Sequence, residues 1–295
     1  MTIKQGTLLE QGLARTARRK RPSRAQVRLA RGFDRDIAKF QARFSRDVLR
    51  ILNRLGREIQ GIANDVLEPE PGKQTDSVST ISPLHLQIRI ENKDASQNAM
   101  DAALITERLD IAGFEAELKV VYNKHYSSIL RATERRINAA MELGISIPEP
   151  LEVEILAAGG KRVGLLDMGG KTKRKVFEQL TAGRADGEAV AQLAKRLSDF
   201  VPAGRFRSSR TRAKLIARTE TTNAQKLAAG AVYDEAGVTD VLIMDSRQGS
   251  FDDECDALDG VVVSLSEGIA LMEDEHPNGT RRMVAQPPPV VEDIG

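Results

Sequence analysis

A series of arginines spaced three or four residues apart is the first feature of this sequence that could carry chemistry. Its members are Arg24, Arg28, Arg31, Arg35, Arg43, Arg46 and Arg50, with Lys39 at the step between Arg35 and Arg43. Because an α-helix turns once in about 3.6 residues, this spacing places the guanidinium groups on one helical face. Guanidinium groups bind phosphates and carboxylates through paired N–H donors. The series therefore predicts contact with a nucleic acid or with an acidic protein.

A denser basic patch comes before this series. Its members are Arg15, Arg18, Arg19, Lys20 and Arg21, and it continues into Arg24. No acidic residue occurs between residues 11 and 33. We therefore expect residues 1–23 to form a flexible basic arm that follows phosphate groups. Phosphate contacts position a protein without reading base sequence, so nothing here predicts sequence-specific recognition.

One long amphipathic helix over residues 24–66 would present the arginines. Apolar residues recur at steps of three or four from Phe33 to Val66, which is typical of one buried helical face. Ser23 can cap the first free amides. Arg35 lies two positions after Phe33, about 200° around the helix, so the basic and apolar stripes face opposite ways. A solvated coiled-coil surface is the plainer interpretation, but such surfaces usually mix both charges.

Charge is divided unequally along the 295 residues. Residues 1–60 carry 16 Lys and Arg against 5 Asp and Glu, whereas residues 232–295 carry 3 against 15. This division favours two different partners, one of them polyanionic. Aromatic residues make up only 4%, and Trp is absent, which argues against a stacking platform for bases. The single Cys255 excludes an internal disulfide framework, and with no predicted membrane segment or secretory signal we expect a soluble protein of a reducing cytoplasm.

The remaining periodicities predict a mainly α fold, with long amphipathic helices in the N-terminal half and a small C-terminal α+β module. A second helical stretch is predicted over residues 95–143, antiparallel to the first. The module is predicted to hold helices and a short β-hairpin, with strands at 239–246 and 261–265. The expected segments are a basic arm (1–23), a long-helix domain (24–147), an irregular connector (148–171), the α+β module (172–285) and a proline-rich tail (286–295).

A second possible chemistry lies in an acidic loop between the two predicted strands. Its carboxylates belong to Asp252, Asp253, Glu254, Asp256 and Asp259. Paired carboxylates can hold two magnesium ions for phosphoryl transfer, so a metal-dependent nuclease is one alternative. No Lys or His stands beside these acids, and acidic loops are usually only solvated. Gly170-Lys171-Thr172 lacks the glycine spacing of a nucleotide-binding loop, so no nucleotide cofactor is predicted.

Three short motifs in the C-terminal part follow one another in a characteristic order. The first holds Ala217, Arg218, Thr219 and Glu220, with Asn223 after it; the second is Ala257, Leu258, Asp259 and Gly260; the third is His276, Pro277 and Asn278. In this order, over residues 170–285, the sequence resembles the C-terminal module of the phage Mu F-like minor head proteins, also called phage head morphogenesis proteins.

The resemblance implies a structural role and no enzymatic activity. It implies a minor capsid protein of a tailed bacteriophage that joins the head in few copies, associates with the portal and serves head assembly or DNA delivery. The expected location is the virion, in the head interior or at the portal vertex, after assembly in the host cytoplasm. The basic region would face packaged DNA or an acidic protein surface. The motif residues would be structural. Arg218 and Glu220 lie two positions apart and do not face each other on a helix, so their spacing favours a polar clamp between helices, in which Arg218 pairs with a neighbouring helix.

The sequence departs from the family pattern at its cysteines. Many members carry Cys-x-x-Cys before the second motif and Cys-x-Cys after the third, a set suited to a metal. Here these positions hold Asp252, Cys255, Gly279 and Arg281. We therefore expect no metal and interpret Cys255 as a buried small residue. A nucleic-acid-binding architectural protein remains the other alternative, because the basic region alone would support it.

Overall fold

A computed structural model of the chain describes residues 19–68, 83–158, 168–247, 253–276 and 279–286. Along the first part the helices are α1 (Arg24–Leu67), α2 (Pro83–Arg108), α3 (Ile111–Met141), α4 (Glu149–Ala158), α5 (Met168–Ala185), α6 (Val190–Ala203) and α7 (Ser209–Glu235). The last part holds β1 (Asp240–Asp245), α8 (Asp253–Leu258), β2 (Val262–Ser264), α9 (Leu265–Glu273) and β3 (Arg281–Ala285). The predicted fold class, mainly α with a small C-terminal α+β module, is confirmed.

The described residues form two compact units, each assembled from separate stretches of chain. One contains residues 1–45, 121–163 and 215–295 and is called the sheet unit below. The other contains residues 46–120 and 164–214 and is called the helical unit. The sequence analysis expects domains that follow one another along the chain. The units differ from that expectation because α1, α3 and α7 each contribute residues to both.

Helix α1 begins where its capping residues are found. The Ser23 hydroxyl accepts a hydrogen bond from the Gln26 amide at 3.2 Å, and the Gln26 side chain accepts one from the Ser23 amide at 2.8 Å. This reciprocal pair satisfies two free backbone donors at the start of the helix. The predicted apolar stripe is buried, with Phe33 1% exposed and Phe44 fully buried.

In the sheet unit, the first part of α1 packs antiparallel to the second part of α3. Asp36 contacts Arg136 at 2.5 Å, while Phe44 lies against Tyr122 with ring centroids 5.0 Å apart. The partner number falls as the α1 number rises, which defines the antiparallel direction. The predicted antiparallel packing is therefore observed here.

The sheet of this unit has three antiparallel strands in the order β2-β1-β3. Val241 of the central strand β1 pairs with Val263 on one side and Ala285 on the other. Helix α9 packs on all three strands. Its Gly268 has no side chain, and an added Cβ would lie 2.6 Å from Val241 Cγ2. The absence of a side chain at Gly268 therefore lets α9 pack closely against the sheet.

In the helical unit, α5 packs against α2 and α6. The Arg184 guanidinium of α5 pairs with Asp101 and bonds Asn98, both on α2. Between α5 and α6, Arg196 donates to Glu188 at 2.9 Å and pairs with Asp186 at 2.8 Å. The hydrogen bonds from Arg196 hold the pKa of the Glu188 carboxyl below its usual value. Arginine bridges thus join the helices of this unit.

Three expectations about the elements need correction. The stretch expected to be one helix over 95–143 is interrupted at Leu109 and Asp110, where the Asp110 carboxylate accepts from the Gly113 amide at 2.9 Å and starts α3. The expected connector 148–171 contains α4, because a proline in the first helical turn needs no backbone donor. The module was expected to contain a two-stranded hairpin, but the segment before the prolines adds a third strand, the edge strand β3.

Candidate functional site

The predicted arginine series is exposed wherever the structure describes it. In the sheet unit, Arg24, Arg28, Arg31, Arg35 and Arg43 are all exposed. Arg46 and Arg50, also exposed, belong to the helical unit, where Arg50 lies 3.8 Å from Asp47. Arg15 and Arg18 lie outside the described residues.

Four of these arginines line a groove on the first turns of α1. The arginine groove is formed by Pro22, Arg24, Val27, Arg28, Arg31 and Arg35, and its volume is about 390 Å³. Along the helix the four arginines fall within about 60° of one another, because their steps are four, three and four residues. Within the described part of the chain, none of the four lies within 4 Å of a carboxylate.

The acidic residues between these arginines are neutralised by side chains from elsewhere in the same unit. Asp34 lies 2.6 Å from the Arg282 guanidinium of β3. Asp36 accepts a hydrogen bond from Arg136 of α3 at 2.5 Å. Gly32 makes room for Arg136, since a Cβ there would collide with its guanidinium. The charges of the arginine groove are therefore left uncompensated by their sequence neighbours.

The basic residues just before α1 are held more tightly than expected. Arg19 donates to the backbone oxygens of Asp256 and Ala257, at 3.0 and 3.3 Å. The Lys20 amide donates to the Gly260 oxygen at 2.8 Å, and its ammonium donates to Gln286 at 3.1 Å. The expected flexible arm therefore does not extend over Arg19 and Lys20, which bond to the C-terminal module. Arg21 is exposed.

The first motif contributes a buried polar cluster between α7 and α3. Glu220 is fully buried, and it accepts a hydrogen bond from the Tyr126 hydroxyl at 2.5 Å. Asn223 donates to the same hydroxyl at 3.3 Å. Burial, together with the Glu220 charge, raises the pKa of Tyr126 above its usual value. This is the kind of contact between helices expected of Glu220 as a structural residue.

The other residues of the first two motifs are also part of the framework. Thr219 is buried and Arg218 half-buried, and neither is without a partner. Leu258 is fully buried, and Asp259 accepts a hydrogen bond from the Asp245 amide of β1 at 3.0 Å. Gly260 has a φ of +82°, a conformation that favours glycine. The second motif thus returns the chain from α8 to β2.

His276 of the third motif lies beside the single cysteine. Its Nε2 is 3.6 Å from the Cys255 sulfur, and Arg281 Nη2 lies 3.9 Å from the same sulfur. Cys255 is fully buried, as expected. Pro277 and Asn278 lie outside the described residues. Among the residues that the structure describes, no group of three or more His, Cys, Asp or Glu side chains could hold a metal ion.

Two of the carboxylates considered for a nuclease form salt bridges with one arginine. Asp256 and Asp259 lie 3.2 and 3.4 Å from Arg247 Nη2. Asp253 is exposed at the start of α8. Asp252 lies outside the described residues, and so does the side chain of Glu254. The geometry of the described acids is that of a salt-bridged turn.

A second concave feature of the sheet unit lies among α4, α7, α9 and β3. This apolar cleft, of about 270 Å³, is lined by Leu151, Ile155, Asn223, Lys226, Leu227, Gly230, Ala231, Asp234, Ile269, Met272, Glu273 and Met283. Lys226 is nearly buried and pairs with Glu275, which also accepts from the Arg281 amide. Asp234 and Glu273 are exposed, so carboxylates stand beside the apolar lining.

Apart from Asn223, sequence reasoning did not find the residues of this cleft, and it did not find the Lys226–Glu275 pair. A signal for Lys226 was present, because it lies three residues after Asn223 in an alanine-rich helix and so shares its face. Nothing nearby in sequence identifies Glu275 as its partner, since 49 residues separate them. Tyr126 was missed as the partner of Glu220 for the same reason.

In the part of the chain covered by the structure, no helix is both long and apolar enough to cross a membrane. Comparison of the sequence with family models and with curated proteins, and of the chain with solved structures, found no match.

Proposed function

We propose that this chain is a structural minor head protein of a tailed bacteriophage, acting in head morphogenesis through contacts with the portal and capsid. Its place is the virion, in the head interior or at the portal vertex. The proposal rests on the structural contacts that the motif residues make. Glu220, Asn223, Asp259 and Gly260 join the helices and strands of one compact unit, which suits a structural role.

The chemistry around these residues supports a non-enzymatic role. Glu220 is fully buried against Tyr126 and is shielded from any substrate. Cys255 is fully buried beside His276, which keeps the sulfur away from solvent. Asp259 of the second motif binds Arg247, and so does Asp256 just before that motif. A catalytic acid or nucleophile would have to reach a substrate, and these side chains serve the fold.

The apolar cleft is the surface that we assign to the portal or capsid contact. Its lining of Leu227, Ile269 and Met272 suits an apolar side chain of a partner. Asp234 and Glu273 add negative charge beside it, so the fitting partner segment is basic with an apolar anchor. The strongly acidic composition of residues 232–295 agrees with that complementarity.

Quantitative mass spectrometry of purified phage heads tests the location. We expect the protein in intact heads in a small, constant ratio to the portal protein. Its absence from heads that package DNA normally would overturn the proposal.

A pull-down with the portal protein tests the contact. Asp234→Lys with Glu273→Lys should weaken capture at least about tenfold, because the cleft loses its complementary charge. The matched control is Glu235→Lys with Asp274→Lys, two exposed neighbours that do not line the cleft. Equal capture of both double variants would count against the cleft as the contact.

A nucleic-acid-binding architectural protein is the second candidate, and the uncompensated arginine groove favours it. That candidate assigns no role to the motif residues or to the apolar cleft. Recovery from phage heads separates the two candidates.

A further inference from the structure

We propose that the arginine groove binds the phosphate backbone of duplex nucleic acid. The inference goes beyond the head-protein role and holds whether or not that role is correct. It rests on four exposed guanidinium groups gathered in one groove, on the absence of a carboxylate within 4 Å of them among the described residues, and on the rigid support beneath them.

The first step is the electrostatic imbalance of the groove. Arg24, Arg28, Arg31 and Arg35 carry four positive charges within about 16 Å along the helix axis. Asp34 and Asp36, the acids nearest in sequence, are already paired with Arg282 and Arg136. Like charges this close repel one another unless an anion neutralises them. Binding of a polyanion would therefore reduce the electrostatic repulsion among the four guanidinium groups.

The second step is the support that fixes the arginine backbone positions. On the opposite side of α1, Phe33 is buried in the core of the sheet unit. Arg282 donates to the Ala30 oxygen at 3.2 Å, and the Gln26 side chain donates to the Ala285 oxygen at 3.0 Å. The helix start is closed by the Ser23–Gln26 capping pair. A groove held in this way needs little ordering of the backbone when a ligand binds.

The third step is the choice between duplex phosphates and other anions. One strand of duplex DNA presents a phosphate about every 3.4 Å along its axis, so about 16 Å of helix faces several phosphates. Single strands are usually bound by stacking bases on aromatic rings, and none of the described residues that line the groove is aromatic. The guanidinium fork matches phosphate oxygens in pairs. Pro22 and Val27, the other lining residues, cannot read base edges, so binding should be independent of sequence.

Fluorescence anisotropy with a labelled 30-base-pair duplex and the full chain tests the proposal. The test variant is Arg28→Gln with Arg31→Gln. The control is Arg131→Gln with Arg135→Gln, which removes the same charge from two exposed arginines of α3 in the sheet unit, outside both the groove and the arginine series of α1. Circular dichroism melting of each variant confirms that the fold is retained.

We expect the groove variant to bind about tenfold more weakly at 50 mM salt. The slope of log affinity against log salt should fall by about 2, because each phosphate contact contributes about 0.9. The control should keep the wild-type slope, and duplexes of different sequence should bind alike.

Two outcomes would overturn the proposal. One is an equal change of slope in the groove variant and the control, which would make the groove no different from the rest of the basic surface. The other is tighter binding of a polyglutamate peptide than of a duplex of equal charge, which would point to an acidic protein. Neither outcome depends on whether the protein is found in phage heads, so this test and that of the head-protein role can fail separately.

Discussion

At the scale of single residues, the buried Glu220 shows what a residue of the first motif contributes to the fold. Its position in the first motif suggested a polar clamp, and its carboxylate accepts from Tyr126 across two helices. The role was predictable from the sequence, because a glutamate in an apolar helix needs a partner. The partner was not, because Tyr126 lies 94 residues earlier and nothing local connects the two.

Replacing Tyr126 with phenylalanine should destabilise the protein by about 1–3 kcal/mol, because a buried carboxylate loses a hydrogen-bond donor. Urea unfolding measures this loss. The raised pKa of Tyr126 also means that stability falls as the pH rises past about 10, where the hydroxyl ionises in the unfolded chain. That alkaline loss should be smaller in the variant.

Tyr233→Phe is the control for this change. Tyr233 is equally buried, but its hydroxyl donates to the Met283 carbonyl at 3.5 Å and not to a carboxylate. Its removal should cost less than about 1 kcal/mol, because no buried charge is left without a donor. Similar losses in the two variants would show that Glu220 does not depend on Tyr126.

At the scale of elements, the sequence could predict those helices that capping residues and apolar periodicity define locally. Helix α1 was expected over 24–66 and spans Arg24–Leu67, because a capping serine and an uninterrupted apolar period define it. The break before α3 was missed because the period resumes after it, although Asp110 is a common capping residue. Strand β3 was missed because it has consecutive arginines, which are buried here. Arg282 pairs with Asp34, far away along the chain, and the Arg281 amide donates to Glu275, six positions earlier.

Two glycines of α1, both in the helical unit, should respond oppositely to alanine. A Cβ on Gly56 would lie 2.7 Å from the Ser198 oxygen of α6, so Gly56→Ala should destabilise by about 1–3 kcal/mol. Gly61 is exposed with nothing within 4 Å of such a Cβ, so Gly61→Ala should stabilise by about 0.5–1 kcal/mol. Thermal melting of both variants checks the signs, and a stable Gly56→Ala protein would contradict the close helix contact.

At the scale of the whole molecule, the composition of the two units could not be read from the sequence. Domain boundaries were placed at prolines and glycines, where chains often leave one domain for the next. Residues 1–45 and 215–295 nevertheless belong to one unit. The contacts responsible, such as those of Lys20 with Gly260 and of Arg282 with Asp34, join residues about 240 positions apart. Local patterns carry no information about such pairs.

The Arg282–Asp34 pair is the sharpest test of this assembly. Burial lowers the pKa of the Arg282 guanidinium, while the Asp34 charge opposes that change. Arg282→Met should destabilise the sheet unit by about 3 kcal/mol, because Asp34 would be left without its cation. Arg247→Met is the matched control. Its ion pair with Asp256 is more than half exposed and should contribute less than about 1 kcal/mol. Chemical denaturation measures the free energy of unfolding of the two variants. Equal losses of stability would mean that the Arg282–Asp34 pair does not hold α1 against β3.

The interleaved sheet unit has a consequence for the protein's synthesis. A ribosome makes the chain from its first residue onward, at about 5–20 residues per second. The apolar face of early α1 therefore leaves the ribosome long before β3, whose Arg282 holds Asp34 and Ala30. The helical unit, whose last residue is Lys214, is fully translated earlier. A nascent chain thus carries an unfinished sheet unit until β3 has been translated, and a ribosome that stalls before β3 leaves this apolar face open to chaperones.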